Sequence, residues 1–390
     1  MVKVGVVVAF SVTLFALAGC RKEIPKPMVA APVAPERPMV DAAAVRANEL
    51  GRIPVVMYHD VNDKVGKNTK MNRTKASFEK DLQLLHDKGF YPVTLRSVVD
   101  GTMDVPAGKS PVVITFDDAR ESQLRLIEAS ESYSVDTDSA YGMIEKFCKA
   151  NPDWKPVATF FVLPKSEKTM EPFGQVGLGS DKIKYLMSKG CEIGNHSLRH
   201  KSFGRMTPRE LQDELSGAQK AVKAYVSDVE MTSLANPYGV YPRNRADWKY
   251  LAKGTGTGGS YTHTAVCQAA WRPMLSPVAK GFNPVRIERI TPEDLKFGLS
   301  YWVGELTSGR MSRFVSDGDA SVVSYPSSEA SGADKAAITA RGKKANAYGG
   351  SGGAGGKRIL GAGDNADSAS EKGTPTSAPT ESKPITGAGG

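Results

Sequence analysis

What most limits the folds open to this chain is a series of short β-branched and aromatic runs set between helix-like segments. The densest, VVITF at 112–116, reads as a buried strand. Others are IPVVMYH (53–59), VATFFVL (157–163), CEIGNH (191–196), VEMTSLA (229–235) and NPVRIERI (283–290). Between them, residues 78–88 place Phe78, Leu82 and Leu85 on one helical face and stop before Gly89. A second helix over 181–189 stops before Gly190. A third begins at Thr207 as N-cap, with Pro208 in its first turn and Glu210 completing a capping box; Leu211, Leu215, Ala218, Val222 and Tyr225 form its apolar stripe. Strands alternating with helices specify an α/β fold built on a parallel sheet or barrel. Such folds gather their chemistry at the carboxyl ends of the strands.

The two ends of the chain differ from this middle. Residues 1–20 carry Lys3, an apolar stretch over 4–18, and Leu17-Ala18-Gly19-Cys20, the layout of an export signal too short to span a bilayer comfortably. Small residues before a cysteine resemble a bacterial lipobox, which implies cleavage before Cys20 and a lipid on its sulfur. Arg21 in place of an aspartate then favours the outer membrane. Residues 21–49, rich in Pro and Ala, read as a tether, and 326–390, dense in Gly, Ser, Ala and Thr, as a disordered tail. That leaves 50–325 as one large folding unit. The formal charge is +9, but the basic residues are dispersed and not interleaved with aromatics. Nucleic acid is therefore not an expected partner; an anionic envelope surface or plain solubility accounts for the charge. With Cys20 lipidated, Cys148, Cys191 and Cys267 remain, open to one disulfide plus a free thiol or to three buried thiols.

The strand VVITF ends on two adjacent carboxylates, Asp117 and Asp118. Neighbouring strand residues point to opposite faces, so the pair can do separate work if positive charge is near. A second strand exit, GCEIGNHSLRH (190–200), supplies His196 and His200, which share one face if the backbone turns helical there. Two histidines and a carboxylate with an open position make a hydrolytic zinc set, and the same donors suit Co2+, Ni2+, Mn2+ or Fe2+. A third exit carries Pro237-Tyr238-Gly239, and a fourth carries His59, which could equally be a core histidine.

TFDD, then HSLRH, then NPYG resembles the first three motifs of the polysaccharide deacetylases, the NodB-homology domain of carbohydrate esterase family 4. IPVVMYHDV and FEKDLQLLHDKGF add a resemblance to the exported branch that deacetylates poly-N-acetylglucosamine. The similarity runs over about 53–295. It implies a distorted (β/α) barrel and a metal-dependent N-deacetylase that acts on an acetylated envelope or extracellular polysaccharide. It also implies Asp118, His196 and His200 as metal ligands and Asp117 as catalytic base. Tyr238 and Pro237 would belong to the oxyanion and substrate motif. His59 takes the place of the general acid, because no Leu-x-His follows residue 263 and in the resembling branch the permuted motif order puts this histidine first. An O-acetyl polysaccharide esterase and a non-catalytic glycan-binding lipoprotein are the alternatives. Two departures stand out. The Arg that opens the third motif and orients the base is here Ala235, and the fourth motif has only Asp247-Trp248, too early, or Trp271 to fill it.

Overall fold

A computed structural model describes residues 40–129, 132–164, 171–270 and 272–349. The export signal, Cys20, most of the proposed tether and Trp271 lie outside these residues. The core is a sheet of eight strands: β1 (Val55–Tyr58), β2 (Phe90–Val93), β3 (Ser110–Asp117), β4 (Thr159–Val162), β5 (Glu192–Asn195), β6 (Ser233–Ala235), β7 (Ala265–Ala270) and β8 (Ile287–Arg289). Seven follow the order β1-β3-β4-β5-β6-β7-β8, and every pairing is parallel. The path closes where Met57 N–H donates to the Ile290 carbonyl and Ile290 N–H to the Val55 carbonyl, both at 2.8 Å. β2 pairs with the first half of β3, on the edge that β4 takes over from Thr115 onward. This is the expected distorted (β/α) barrel. The distortion is visible at β5–β6, whose register holds at one pair, Asn195–Leu234, and at the shift between Cys267 and Ala270 in β7.

All eight positions of β3 are buried, which is why its run is apolar without alternation. Phe116 stacks on Phe160 of β4 at 5.0 Å between ring centres, and Tyr58 and Phe78 complete the cluster on that side. Helices α1 (Lys75–Asp87), α2 (Ala140–Ala150), α3 (Gly179–Ser188), α4 (Pro208–Lys223) and α5 (Leu299–Thr307) accompany the strands. The capping box at Thr207 and Glu210 forms as expected. Because the strands are parallel, the residues that follow β1, β3, β5 and β6 all emerge at one end of the barrel.

Both expected domain boundaries need correction. Ala42, Ala47 and Leu50 are buried, and Asn48 pairs with Val315, so the fold takes in the last ten residues assigned to the tether. At the other end, β9 (Val322–Pro326) pairs in parallel with β10 (Lys344–Tyr348) around a short helix, Lys335–Ala340. Val323, Tyr325, Ala333 and Ile338 pack on Leu50 and Val278. The assigned tail therefore folds through residue 349. Its few large apolar residues were diluted by the glycine-rich sequence that follows. The three cysteines Cys148, Cys191 and Cys267 are free and buried, and burial pushes each thiol up to about 12.

Candidate active site

β3 delivers Asp117 as its last residue, and the backbone then turns sharply. Asp118 and Ala119 both adopt positive φ, 80° and 51°. A left-handed pair without glycine is costly and persists only where its surroundings enforce it. Here the Ala119 carbonyl accepts from Phe173 N–H at 2.6 Å, and Gln123 Nε2 donates to the carbonyls of both Asp117 and His59. Gln123 thereby ties the exits of β1 and β3 together.

His196 follows β5 directly. The segment to His200 is not helical: Ser197 and His200 have φ of 65° and 54°. The two imidazoles meet through a loop that local side chains organise. Asn195 Oδ1 accepts from Ser197 N–H (2.8 Å), and Ser197 Oγ accepts from His200 N–H (3.0 Å). Asn195 Nδ2 is held by the Leu215 carbonyl of α4 and by His263 Nε2. The rings end 4.9 Å apart.

Asp118, His196 and His200 each offer one ligand atom, all within 4.8 Å of one another. Asp118 Oδ1 lies 3.2 Å from His196 Nε2 and 3.4 Å from His200 Nε2. His196 Nδ1 sits 2.9 Å from the Ala235 carbonyl, which can only accept, so that nitrogen carries the proton in the neutral ring. Its Nε2 then presents a lone pair to an anionic oxygen that has no hydrogen-bond donor. Two facing lone pairs in a buried place repel unless a cation or a proton lies between them, and Asp117 and Asp118 accordingly raise the His196 pKa against its burial. The donor set and this orphaned oxygen fit a divalent metal held by Asp118, His196 and His200.

Asp117 stands beside this group, 2% exposed, and its partner is Arg289 at the end of β8. Arg289 Nη1 and Nη2 donate to Asp117 Oδ1 and Oδ2 at 2.7 and 2.9 Å, and Nε donates to the Gln268 carbonyl. Burial acts to raise the Asp117 pKa, but the Arg289 charge and the nearby imidazoles outweigh it and hold the carboxyl below its usual range. Arg289 thus does from β8 what an arginine at position 235 was expected to do from β6. Within NPVRIERI nothing in the local pattern ties this arginine to the site. An arginine two residues after Ile287 and directly before Ile290 in a strand was the available signal, since such a charge needs a buried partner.

His59 leaves β1 with Nε2 4.0 Å from Asp117 Oδ2. Burial lowers its pKa more than the two aspartates raise it. Pro237 is buried, while Tyr238 is 66% exposed with φ 59° and sets its ring edge-on to His200 at 4.7 Å. Trp248 packs on Tyr241 and bonds the Pro242 carbonyl, so the Asp247-Trp248 pair has a local structural use.

Residues 104–253 match the family model described as polysaccharide deacetylase. That span includes every candidate residue above except Cys20, His59, His263, Gln268, Trp271 and Arg289. Over 132 residues the chain is 25% identical to a chitooligosaccharide deacetylase of Bradyrhizobium sp. (strain ANU 289), covering 33% of this chain and 54% of that relative. The match thus spans about half the relative's length. Among solved structures the chain is similar to the Streptococcus pyogenes deacetylase PplD in complex with acetate (TM-score 0.47, 16% identity, 65% of this chain and 97% of that one). It is also similar to IcaB from Ammonifex degensii (TM-score 0.46, 16% identity, 65% and 96%).

Proposed function

Since residues 104–253 match the polysaccharide deacetylase family model, we propose that this protein is a metal-dependent hydrolase of that family. It removes N-acetyl groups from an N-acetylglucosamine-containing envelope or extracellular polysaccharide and releases acetate. The observation that carries the reading is the orphaned Oδ1 of Asp118 facing two imidazole nitrogens, beside a carboxylate locked by Arg289. The similarity to a chitooligosaccharide deacetylase supports the sugar class.

A divalent cation on Asp118, His196 and His200, zinc being the first choice, supplies Lewis acidity. The chain's own groups do the rest. Asp117 accepts a proton from the water that adds to the acetyl carbon; Arg289 keeps it ionised and fixed in orientation. His59, on the Oδ2 side of Asp117, gives a proton to the nitrogen as the carbon–nitrogen bond breaks, leaving acetate and a free amine. The Pro237–Tyr238 turn brings backbone and an exposed ring to the same rim, where they contact the sugar and the developing oxyanion.

The test is acetate release by the full chain from chitooligosaccharides, with chelator and with metal restored. Activity should vanish on chelation and return with metal, and Asp117→Asn should lower kcat by about 10²–10⁴-fold. Turnover of acetylated xylan but not of chitooligosaccharides would overturn the amide assignment. Lipid attachment at Cys20 would hold the enzyme at the outer membrane, periplasmic or surface side, near this substrate. Mass spectrometry of the cell-derived protein should find Cys20 as a lipidated first residue, and an unmodified Met1 terminus would refute it.

A further inference from the structure

Arg120 takes no part in the chemistry above, yet it contacts one of its residues directly. Its Nε and Nη2 both donate to Asp118 Oδ2, at 3.0 and 2.8 Å. Its Nη1 donates to Asp60 Oδ2 at 3.0 Å, and Asp60 Oδ1 accepts from Ser122 Oγ at 2.6 Å. Asp60 follows His59, and Asp118 follows Asp117. One guanidinium therefore bridges the loop carrying the proposed acid and the loop carrying the proposed base. The two oxygens of Asp118 are left unequal: Oδ2 is engaged by two cationic N–H groups, and Oδ1 is bare and faces His196 and His200.

We propose that Arg120, anchored by Asp60, is a positioning residue that makes Asp118 a one-oxygen ligand. The inference rests on the proposed metal site. A free carboxylate takes a divalent cation through one oxygen or two. With Oδ2 covered by the guanidinium, a cation reaches only Oδ1, and a coordination position stays open for water and substrate. Arginine is the side chain for this task. Its planar fork spans two carboxylates at once, whereas a lysine ammonium carries the charge but not the fork. The positive φ at Asp118 and Ala119 serves the same end, because it turns Arg120 back over the residue two before it.

Cobalt(II) is the probe, as its visible absorption weakens when coordination number rises. The full chain is stripped with chelator, loaded with Co2+ alone and compared with Arg120→Met, Arg120→Lys and Asp60→Ala. In Arg120→Met the absorption per bound cobalt should fall by about twofold or more as the second oxygen enters. Arg120→Lys should show the same weakened spectrum despite its charge, and Asp60→Ala should shift in the same direction. On chitooligosaccharides, kcat should drop roughly 10–100-fold with KM within about threefold of the parent. Thermal midpoints of the metal-free variants report folding, and Asp60→Ala carries the test if Arg120→Met unfolds. Spectra identical to the parent in Arg120→Met and Asp60→Ala would overturn the clamp while leaving the metal site standing. Failure of the parent to bind cobalt, or undiminished binding in His196→Ala, would remove the metal site and the clamp with it.

Discussion

Asp117, the proposed base, shows how one residue depends on a partner far away in sequence. A fully buried carboxylate is costly unless paired, and Arg289 pairs both of its oxygens. Removing the arginine takes away the strongest influence that opposes burial, so the Asp117 pKa moves up. The ionised, proton-accepting form then appears only at higher pH. Arg289→Met should therefore shift the acid limb of the pH–rate profile to higher pH and destabilise the fold by about 3–5 kcal/mol through the unpaired charge. An acid limb at the parent's pH would refute the pairing role. Asp117 and Asp118 were legible as residues, because two acids at the end of an apolar run demand an explanation. Arg289 was not singled out, because its meaning depends on a contact across 172 positions.

At the scale of elements, the segment from β5 to His200 illustrates how spacing alone misleads. The i, i+4 histidines do converge, but through a loop fastened by Asn195, Ser197 and His263, not on a helical face. His263 is buried, donates from Nδ1 to the Leu251 carbonyl and accepts from Asn195. Burial lowers its pKa to about 4 from a usual 6.5. Its folded pKa lies below its unfolded one, so the unfolded chain binds the proton more readily between these values. Stability from this group is complete above about 6.5 and is lost as pH falls through about 4. Urea unfolding of the metal-free protein between pH 7 and pH 4 should show a decline that is shallower in His263→Gln. Equal slopes would show that His263 is not buried in its neutral form. The strands β2 and β7 and helices α2 and α5 were not foreseen as elements. β2 contains Pro92, and β7 mixes Ala, Cys and Gln, so neither presents a β-branched run.

For the whole molecule, the folded body is larger than composition suggested. The β9–β10 unit seals an apolar cluster against Leu50 and Val278, and Tyr348 bonds the Ala47 carbonyl at 2.7 Å. Ending the chain at 325 should remove the burial of Ile338 and strip cover from Val323 and Tyr325, a loss on the order of 5 kcal/mol before compensating chain entropy. A thermal midpoint clearly below that of a chain ending at 349 is the expected result. Equal midpoints would show that this unit adds nothing to the barrel.

The sequence by itself determined the alternation of strands and helices, the strand that ends on Asp117 and Asp118, and the histidines that answer them. These are local patterns, set by side-chain periodicity and by the cost of placing charge at a strand end. Only the tertiary structure decided which cation orients Asp117, how Arg120 divides the two oxygens of Asp118, and that the fold continues past residue 325. Each of those depends on residues brought together by barrel closure or by packing between chain ends. A charge, a bare oxygen or a sparse apolar residue acquires its energetic meaning from the partner that reaches it in space.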